Sequence, residues 1–205
     1  MNAMDVVKTA DGSFTLFDPQ SGEHYHSKHG AIGESRHVFL EMGLKHFLDT
    51  TGRKSATIFE VGFGTGLNFL VTADALANTD VDLTYYAVES SPLPKKSIQV
   101  LEFTQYADAA LCEWYNEQYA FIFNKLTAFN ETISLRVFPV KILDFTEKIK
   151  VDVIYFDAFS ATHQPEMWTL EVLQRVISLL NPGGIFVTYS VTGDLKRTLK
   201  SLRCK

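Results

Sequence analysis

The sequence that decides the fold is Ile58-Phe-Glu-Val-Gly-Phe-Gly-Thr-Gly-Leu-Asn-Phe69. Its opening residues are mostly β-branched or aromatic, glycines follow at Gly62, Gly64 and Gly66, and an apolar run comes after them. This order is typical of a strand, a tight turn and a helix that begins at Leu67. Glycine admits positive φ and lets the backbone approach a ligand, and the first N–H groups of a helix lack intrahelical acceptors. The turn therefore predicts a ligand site.

The spacing of the glycines narrows the choice of ligand. A dinucleotide fingerprint requires glycine at position 67, where the chain has leucine, so NAD is disfavoured and a nucleotide-dependent oxidoreductase is only an alternative. The pattern Glu-x-Gly-x-Gly-x-Gly, which begins at Glu60, resembles motif I of the S-adenosylmethionine-dependent methyltransferases. A second predicted strand, 82–88, ends in Glu89, whose carboxylate can accept hydrogen bonds from both ribose hydroxyls. The alternative is a bare turn followed by a surface acid.

Composition bounds the class of protein. The chain has 205 residues, 46% hydrophobic and 13% aromatic, which suits one domain with a substantial core. The apolar runs are too short for a membrane span and the N-terminus lacks a secretion signal, so we expect a cytoplasmic protein with no membrane partner. Two cysteines, Cys112 and Cys204, form no disulfide or metal pattern. The net charge of -5 opposes wholesale phosphate binding but allows a local basic patch for a folded RNA.

Three histidines, His24, His26 and His29, stand close together near the N-terminus. Zinc sites of the usual kinds pair histidines with cysteines or place them in an HExxH helix, and neither pattern is present. We therefore predict no metal site, and favour a solvated loop whose histidines titrate near neutrality.

The chain is expected to form one compact domain with two parts. Residues 1–55 predict a hairpin and a helix, capped near Ser35, that pack on a core of residues 56–205. Glu34 and Arg36 would form a simple surface pair. Within the core, residues 93–130 predict a helical insertion without strand character. Its aromatic side chains could stack on RNA bases, but core packing is favoured.

The remaining elements predict the sheet. Strands are expected at 133–142, 151–157 and 184–190, and a helix at 166–180 ends at the stop signal Asn181-Pro-Gly-Gly. Continuous apolar strands separated by helix-length segments indicate a doubly wound, mostly parallel α/β sheet. Ligands of such sheets bind beyond the carboxyl ends of the strands.

That rule brings residues from separate strand ends into one crevice. We expect the glycine turn to be joined there by Glu60, Glu89, Asp144, Asp157 and Phe159. Burial at a strand end tends to raise the pKa of a carboxyl group, so Asp157 could accept a proton from an amine, or orient the amine. A structural alternative is that Asp157 caps the turn that follows it.

Five motifs carry a resemblance to a known family. In chain order they are Tyr25-His-Ser, Gly33-Glu-Ser-Arg-His-Val-Phe, Glu60-Val-Gly-Phe-Gly-Thr-Gly-Leu-Asn-Phe, Val88-Glu-Ser-Ser-Pro-Leu and Phe156-Asp-Ala-Phe-Ser-Ala-Thr-His-Gln-Pro-Glu-Met-Trp-Thr. They span most of the chain, and the set resembles the MnmC-like methyltransferase family. The last motif is the most specific, because its second half is not a general methyltransferase feature.

The resemblance implies a Rossmann-like core of the class I methyltransferase type with S-adenosylmethionine as cofactor. It also implies methylation of the aminomethyl group on a modified wobble uridine in tRNA, by direct transfer to a neutral amine. The residues implied are Asp157 and Tyr25 for catalysis, Glu60, Gly62, Gly64, Gly66, Asn68, Glu89, Asp144, Asp157 and Phe159 for the cofactor, and Glu34, Arg36, Pro165 and Trp168 for the substrate.

The chain also departs from the family pattern. It has neither the length nor the second glycine fingerprint of the FAD-dependent oxidase that many relatives carry, so a separate oxidase would act upstream. Val140-Lys141 stand where the family tends to have Gly-Asp, which makes Asp144 a substitute candidate near adenine. After Leu202 the expected strand hairpin is truncated, which would leave strand 184–190 with an exposed edge that favours self-association. A non-catalytic cofactor-binding or interaction module is the alternative function.

Overall fold

The computed structural model describes residues 4–202, which form two β-sheets and the helices that cover them. The strands are β1 (Asp5–Lys8), β2 (Phe14–Asp18), β3 (Glu23–His24), β4 (Ser55–Val61), β5 (Asp82–Val88), β6 (Thr127–Ala128), β7 (Ile133–Phe138), β8 (Val151–Phe156) and β9 (Leu180–Val187). The α-helices are α1 (Ala31–Glu34), α2 (His46–Thr51), α3 (Leu67–Leu76), α4 (Lys95–Gln99), α5 (Ala109–Gln118), α6 (Leu170–Ile177) and α7 (Gly193–Ser201). A π-helix (Ser35–Lys45) joins α1 to α2, and 3-10 turns occupy Phe103–Gln105, Ile142–Asp144 and Pro165–Trp168.

The central sheet has six strands in the order β6-β7-β5-β4-β8-β9. Every neighbouring pair is parallel except β6 and β7, which are antiparallel. From β4 the chain first builds the sheet toward β5 and β7, and then returns to add β8 and β9 on the other side. Such a switch in strand order opens a crevice at the carboxyl ends of the strands, where ligands bind. The prediction of a doubly wound, mostly parallel α/β sheet is confirmed.

Two hydrophobic cores lie on opposite faces of this sheet. Successive side chains of a strand point to opposite faces, and so Ile58 of β4 belongs to the core with the π-helix, α3 and α5, while Phe59 belongs to the core with α6 and α7. Strand β8 is buried along its whole length and is apolar or aromatic except at Asp152. The Asp152 carboxylate is satisfied by hydrogen bonds from Thr57 N, Arg53 and Asn181.

The helix of residues 31–51 differs from the prediction at its start. Ser35 is not its cap but lies inside it, buried at the first position of the π-helix, where its hydroxyl bonds Asn68. The 11-residue π-helix is long for a structure that usually occurs as one turn, often near a functional site. The predicted surface pair is also wrong within the described residues: Glu34 accepts a hydrogen bond from Ser27 N, and Arg36 reaches the carbonyl of Tyr106.

The helical insertion contains α4, the 3-10 turn at 103–105 and α5, and packs on α3. Most of its aromatic side chains are in the core, as favoured: Tyr115 and Tyr119 are buried and donate their hydroxyls to Thr65 O and Leu93 O. Phe121 is the exception, 53% exposed. The prediction of no strand is wrong at β6, because two residues that bridge to β7 leave no periodic signal in the sequence.

Three predicted boundaries near the C-terminus are wrong. Strand β7 ends at Phe138, α6 ends at Ile177, and β9 begins at Leu180. The stop signal Asn181-Pro-Gly-Gly therefore lies inside β9, where the pairing with β8 shifts its register. Within residues 4–202, β9 lies at one edge of the central sheet and β6 lies at the other.

The helices and the cysteines are also the subject of predictions. None of the helices between residues 4 and 202 combines the length and the hydrophobicity that crossing a membrane requires. Cys112 is a buried free thiol, whereas Cys204 lies outside the described residues.

Candidate functional site

The glycine turn between β4 and α3 has a backbone that other residues would not adopt easily. Gly62 has φ +90°, and a Cβ there would lie 2.6 Å from the carbonyl oxygen of Asp157. Gly66 has φ +79°, and a Cβ would lie 2.1 Å from the hydroxyl of Tyr115, which donates to Thr65 O. The turn is thus held close to the end of β8 on one side and to α5 on the other. The N–H groups of Gly62 and Phe63 bond Val88 O, and that of Gly64 bonds Glu89.

Glu89, directly after β5, is tied to this turn. Its Oε2 accepts a hydrogen bond from Gly64 N at 2.9 Å, and its Oε1 accepts one from Ser91 N at 2.9 Å. The side chain is only half-buried, and a carboxylate has about four lone-pair sites, so each oxygen keeps a free site toward the crevice. Glu89 is therefore placed to accept further hydrogen bonds from a ligand lying on the turn.

Two acidic side chains meet at the amide of Asn68, in the first turn of α3. Asn68 Nδ2 lies 2.8 Å from Glu60 Oε1 and 2.7 Å from Asp157 Oδ2. The second oxygen of Glu60 accepts the hydroxyl of Tyr85 at 2.9 Å. The two acids thus sit on either side of one buried amide, at the carboxyl ends of the neighbouring strands β4 and β8.

Burial raises the pKa of both acids. It raises the pKa of Glu60 well above its ordinary value, and the nearby Asp157 adds to the effect. For Asp157, burial and then the charge of Glu34 raise the pKa to about 8, although the hydrogen bond from Asn68 acts in the opposite direction. Asp157 therefore changes its protonation close to neutral pH, as the expected proton acceptor requires.

A cavity of about 360 Å³ opens beside Asp157. Three carboxylates face it, from Glu23, Glu34 and Asp157, and its aromatic lining includes Tyr25 and Phe159. The rings of these two aromatic residues meet edge to face at 5.2 Å. Carboxylates and aromatic faces both attract cations, so the cavity suits a positively charged group of modest size.

The segment Gly22–Lys28 lines the cavity, and hydrogen bonds hold it near both of its ends. Glu23 accepts hydrogen bonds from the backbone and hydroxyl of Ser160, at 2.9 and 3.2 Å, and lies 3.3 Å from His163. At the other end His26 Nε2 lies 2.7 Å from Thr65 Oγ1 in the glycine turn. Between these two contacts, the ring of Tyr25 packs directly on Gly64.

The histidines of this segment do not behave as one solvated loop. Burial lowers the pKa of His26 to about 4, so its ring is neutral at physiological pH. The expectation of titration near neutrality is therefore wrong for His26. No group of three or more metal-ligating side chains is found in the described part of the chain.

The predicted site residues fall into three sets. The glycines, Glu60, Asn68, Glu89, Asp157, Phe159, Tyr25 and Glu34 come together around the crevice and the cavity. Trp168 supports the wall from behind, because its Nε1 donates to Phe159 O at 2.8 Å and its ring packs on Phe156, and Pro165 begins the 3-10 turn that carries it. Arg36 and Asp144 are exposed and do not line the cavity.

Sequence reasoning missed several residues of the site. Glu23, Ser35, Thr65, His163 and Tyr189 line the cavity or hold its walls. Tyr25, the second residue expected to act in catalysis, also lines the cavity. Burial and the neighbouring Glu89 raise the pKa of Tyr25 far above its usual value, so its hydroxyl stays protonated and can donate a hydrogen bond.

Comparisons with known proteins bear on this site. A family model described as S-adenosyl-L-methionine-dependent methyltransferase matches residues 101–204. The tRNA 5-methylaminomethyl-2-thiouridine biosynthesis bifunctional protein MnmC of Acinetobacter baylyi is 31% identical over 204 residues, 93% of this chain and 33% of that protein. The protein of the same name from Pseudomonas putida is 28% identical over 190 residues, 88% of this chain and 29% of that protein. The crystal structure of MNMC2 from Aquifex aeolicus superposes with a TM-score of 0.77 at 27% identity, covering 98% of this chain and 64% of that one. The chain spans about a third of the length of the two curated relatives.

Proposed function

Because the chain belongs to the S-adenosyl-L-methionine-dependent methyltransferase family, we propose that its methyl acceptor is the aminomethyl group of a modified wobble uridine in tRNA. The family match makes it an enzyme with S-adenosylmethionine as cofactor. The acceptor is inferred from the cavity and from the names of the relatives, which are proteins of tRNA 5-methylaminomethyl-2-thiouridine biosynthesis. An FAD-dependent oxidase activity would produce the free aminomethyl group in the preceding step.

The residues of the crevice fit the cofactor. Side chains at Gly62 and Gly66 would collide with neighbouring atoms, so the turn is built for a close backbone approach, and α3 presents its N-terminal N–H groups there. Glu89 would hold the ribose hydroxyls, and Glu60 and Asn68 would receive the cationic amino-acid end. When bound, S-adenosylmethionine supplies a methyl group activated on a sulfonium sulfur.

The single observation that carries the choice of acceptor is the position of Asp157. It belongs both to the crevice, through Asn68, and to the wall of the acidic cavity. An alkylammonium attracted to this cavity has no lone pair, and it must lose a proton before it can attack a methyl group. A carboxylate with a pKa of about 8 accepts that proton far more readily than an ordinary aspartate would.

The cavity walls would then position the amine. Glu34 and Glu23 favour a cation at the mouth, and the faces of Tyr25 and Phe159 enclose it. Trp168 fixes the loop that carries Phe159. Most of the rate enhancement would come from holding amine and methyl group in line, because the transfer needs no covalent enzyme intermediate.

The test is incorporation of radiolabelled methyl from S-adenosylmethionine into tRNA that lacks the modification. We expect label in that tRNA and none in fully modified tRNA. Calorimetry with S-adenosylmethionine and with NAD is run in parallel. Cofactor binding without methyl transfer would favour a non-catalytic module, and binding of NAD alone would favour an oxidoreductase; either result contradicts the proposal.

A further inference from the structure

The amide of Asn68 is in an unusual position between two acids. It is 2% exposed, its Nδ2 bonds both Glu60 and Asp157, and its Oδ1 accepts the hydroxyl of Ser35 at 2.7 Å. An amide has two N–H donors and one oxygen acceptor, and here all of them have partners. Three elements that are distant in sequence, the π-helix, α3 and the end of β8, are joined through this one side chain.

The two acids decide which way the amide of Asn68 faces, and the hydroxyl of Ser35 anchors it in that orientation. If the amide were reversed, its oxygen would lie against two carboxylate oxygens, and its NH2 group would lie against a hydroxyl. With Ser35 donating to Oδ1, both N–H bonds point to the acids. Removing the hydroxyl leaves the buried Oδ1 of Asn68 without its donor, so the amide is held less firmly against the two acids.

We propose, on the basis of the proposed function, that Asn68, oriented by Ser35, is a positioning residue that aims Asp157 at the acceptor amine and favours its ionised form. Asp157 could turn in its partly open position, and Asn68 holds one of its oxygens, which leaves the other for the amine. A carboxylate that accepts a hydrogen bond binds its proton less tightly than one that does not.

The surroundings of Asp157 make this contact important. The titratable groups that act on it or respond to it are Glu34 from α1, Glu23 from β3, Glu60 from β4, Tyr85 from β5 and Tyr189 after β9. None of these is a cation. Lys28 and the rings of His24, His26 and His163 line the same cavity, but none of them is among the groups that shift the pKa of Asp157. Burial and the acids Glu34 and Glu23 raise the pKa of Asp157, and the hydrogen bond from Asn68 lowers it. Without Asn68 the pKa of Asp157 should therefore rise above about 8.

The experiment measures single-turnover methyl transfer to hypomodified tRNA as a function of pH. Because Asp157 must be ionised, the rate should rise through its pKa. In Asn68→Ala we expect the midpoint to move up by about one pH unit, with a rate about tenfold lower near neutrality and a smaller deficit at high pH. Ser35→Ala should shift the midpoint in the same direction by less, and Ser35→Thr, which keeps the hydroxyl, should restore it.

Thr72→Val is the matched control. Thr72 is buried on the same helix as Asn68, and its hydroxyl contacts Tyr155 at 3.4 Å and neither acid. This variant should leave the midpoint unchanged. A uniform loss of rate at every pH in Asn68→Ala, with an unmoved midpoint, would show a purely structural role and overturn the proposal.

A second measurement separates this inference from the proposed function. The carboxyl carbon of Asp157 is titrated by NMR in the protein without tRNA, and its pKa should rise in Asn68→Ala and Ser35→Ala. An unchanged titration overturns the inference even if tRNA is the substrate. A shifted titration supports it even if tRNA is not methylated. If Asn68→Ala does not fold, equal midpoints for wild type and Ser35→Ala are sufficient to reject it.

Discussion

Replacing Glu89 by Ala should weaken S-adenosylmethionine binding strongly without disturbing the fold. In the free protein Glu89 accepts the N–H groups of Gly64 and Ser91, and because the side chain is half-buried, water can replace it there. The two ribose hydroxyls would lose a charged acceptor inside the bound complex. Two such hydrogen bonds are worth on the order of 2–4 kcal/mol, which corresponds to about 30-fold or more in Kd.

Titration calorimetry measures this loss directly. Glu89→Gln keeps one acceptor oxygen, so its loss should be intermediate, about tenfold. Asp82→Ala is the matched control, because Asp82 is an exposed acid at the amino end of the same strand β5 and Glu89 follows its carboxyl end. Unchanged affinity in Glu89→Ala, or an equal loss in Asp82→Ala, would refute the placement of the ribose at Glu89.

Three further changes test the site and the sheet. Asp157→Asn should keep cofactor affinity in calorimetry and lower methyl transfer about 100-fold, and proportional losses of binding and rate would contradict the proton role. The pKa of Asp157 in the folded protein is raised to about 8, so ionisation of Asp157 destabilises the fold as pH rises from about 4 toward 8. The variant should therefore be more thermally stable than the wild type at pH 8, with a smaller gain at pH 5. Gly66→Ala would place a Cβ at positive φ and against Tyr115, so it should lower the free energy of unfolding, measured in urea, by about 2–5 kcal/mol. A loss below about 0.5 kcal/mol would contradict the turn geometry. The protein should self-associate through the edge strand β9, and light scattering should detect this association. Val191→Lys, which changes a side chain 63% exposed beside that edge, should suppress it. A monomer at every concentration would reject the idea.

The parts of the fold that sequence could predict are those with a local cause. The glycine turn is one, because glycine adopts positive φ values without steric cost, and β5 is another, because its alternation and length are typical of a buried strand. The boundaries of β9 could not be predicted, because Asn181-Pro-Gly-Gly is a helix stop by its local chemistry. In the structure these residues form an irregular stretch of β9 between the pairs Val151–Leu180 and Val153–Ile185, and Asn181 donates a hydrogen bond to the buried Asp152.

The candidate site divides in the same way. Asp157 and Glu89 could be predicted because each stands immediately after a predicted strand, where the topology brings strand ends together. Ser35 and Glu23 could not, because their roles depend on contacts with residues 33 and 137 positions away. A serine inside a helix and a glutamate in a two-residue strand have no pattern of their own that marks them.

The π-helix of residues 35–45 also restricts how the length of this chain can change in evolution. A π-helix contains more residues per turn than an α-helix, and deletion of a single residue would let an ordinary α-helix form in its place. The residues before the deletion would then take new angular positions around the helix axis relative to those after it. Ser35 would leave Asn68, and Glu34 would leave the cavity, although the shorter helix would itself be the more regular one. We therefore expect that functional relatives vary in length within the insertion of residues 93–130 and keep the residue count from Ser35 to Lys45 constant.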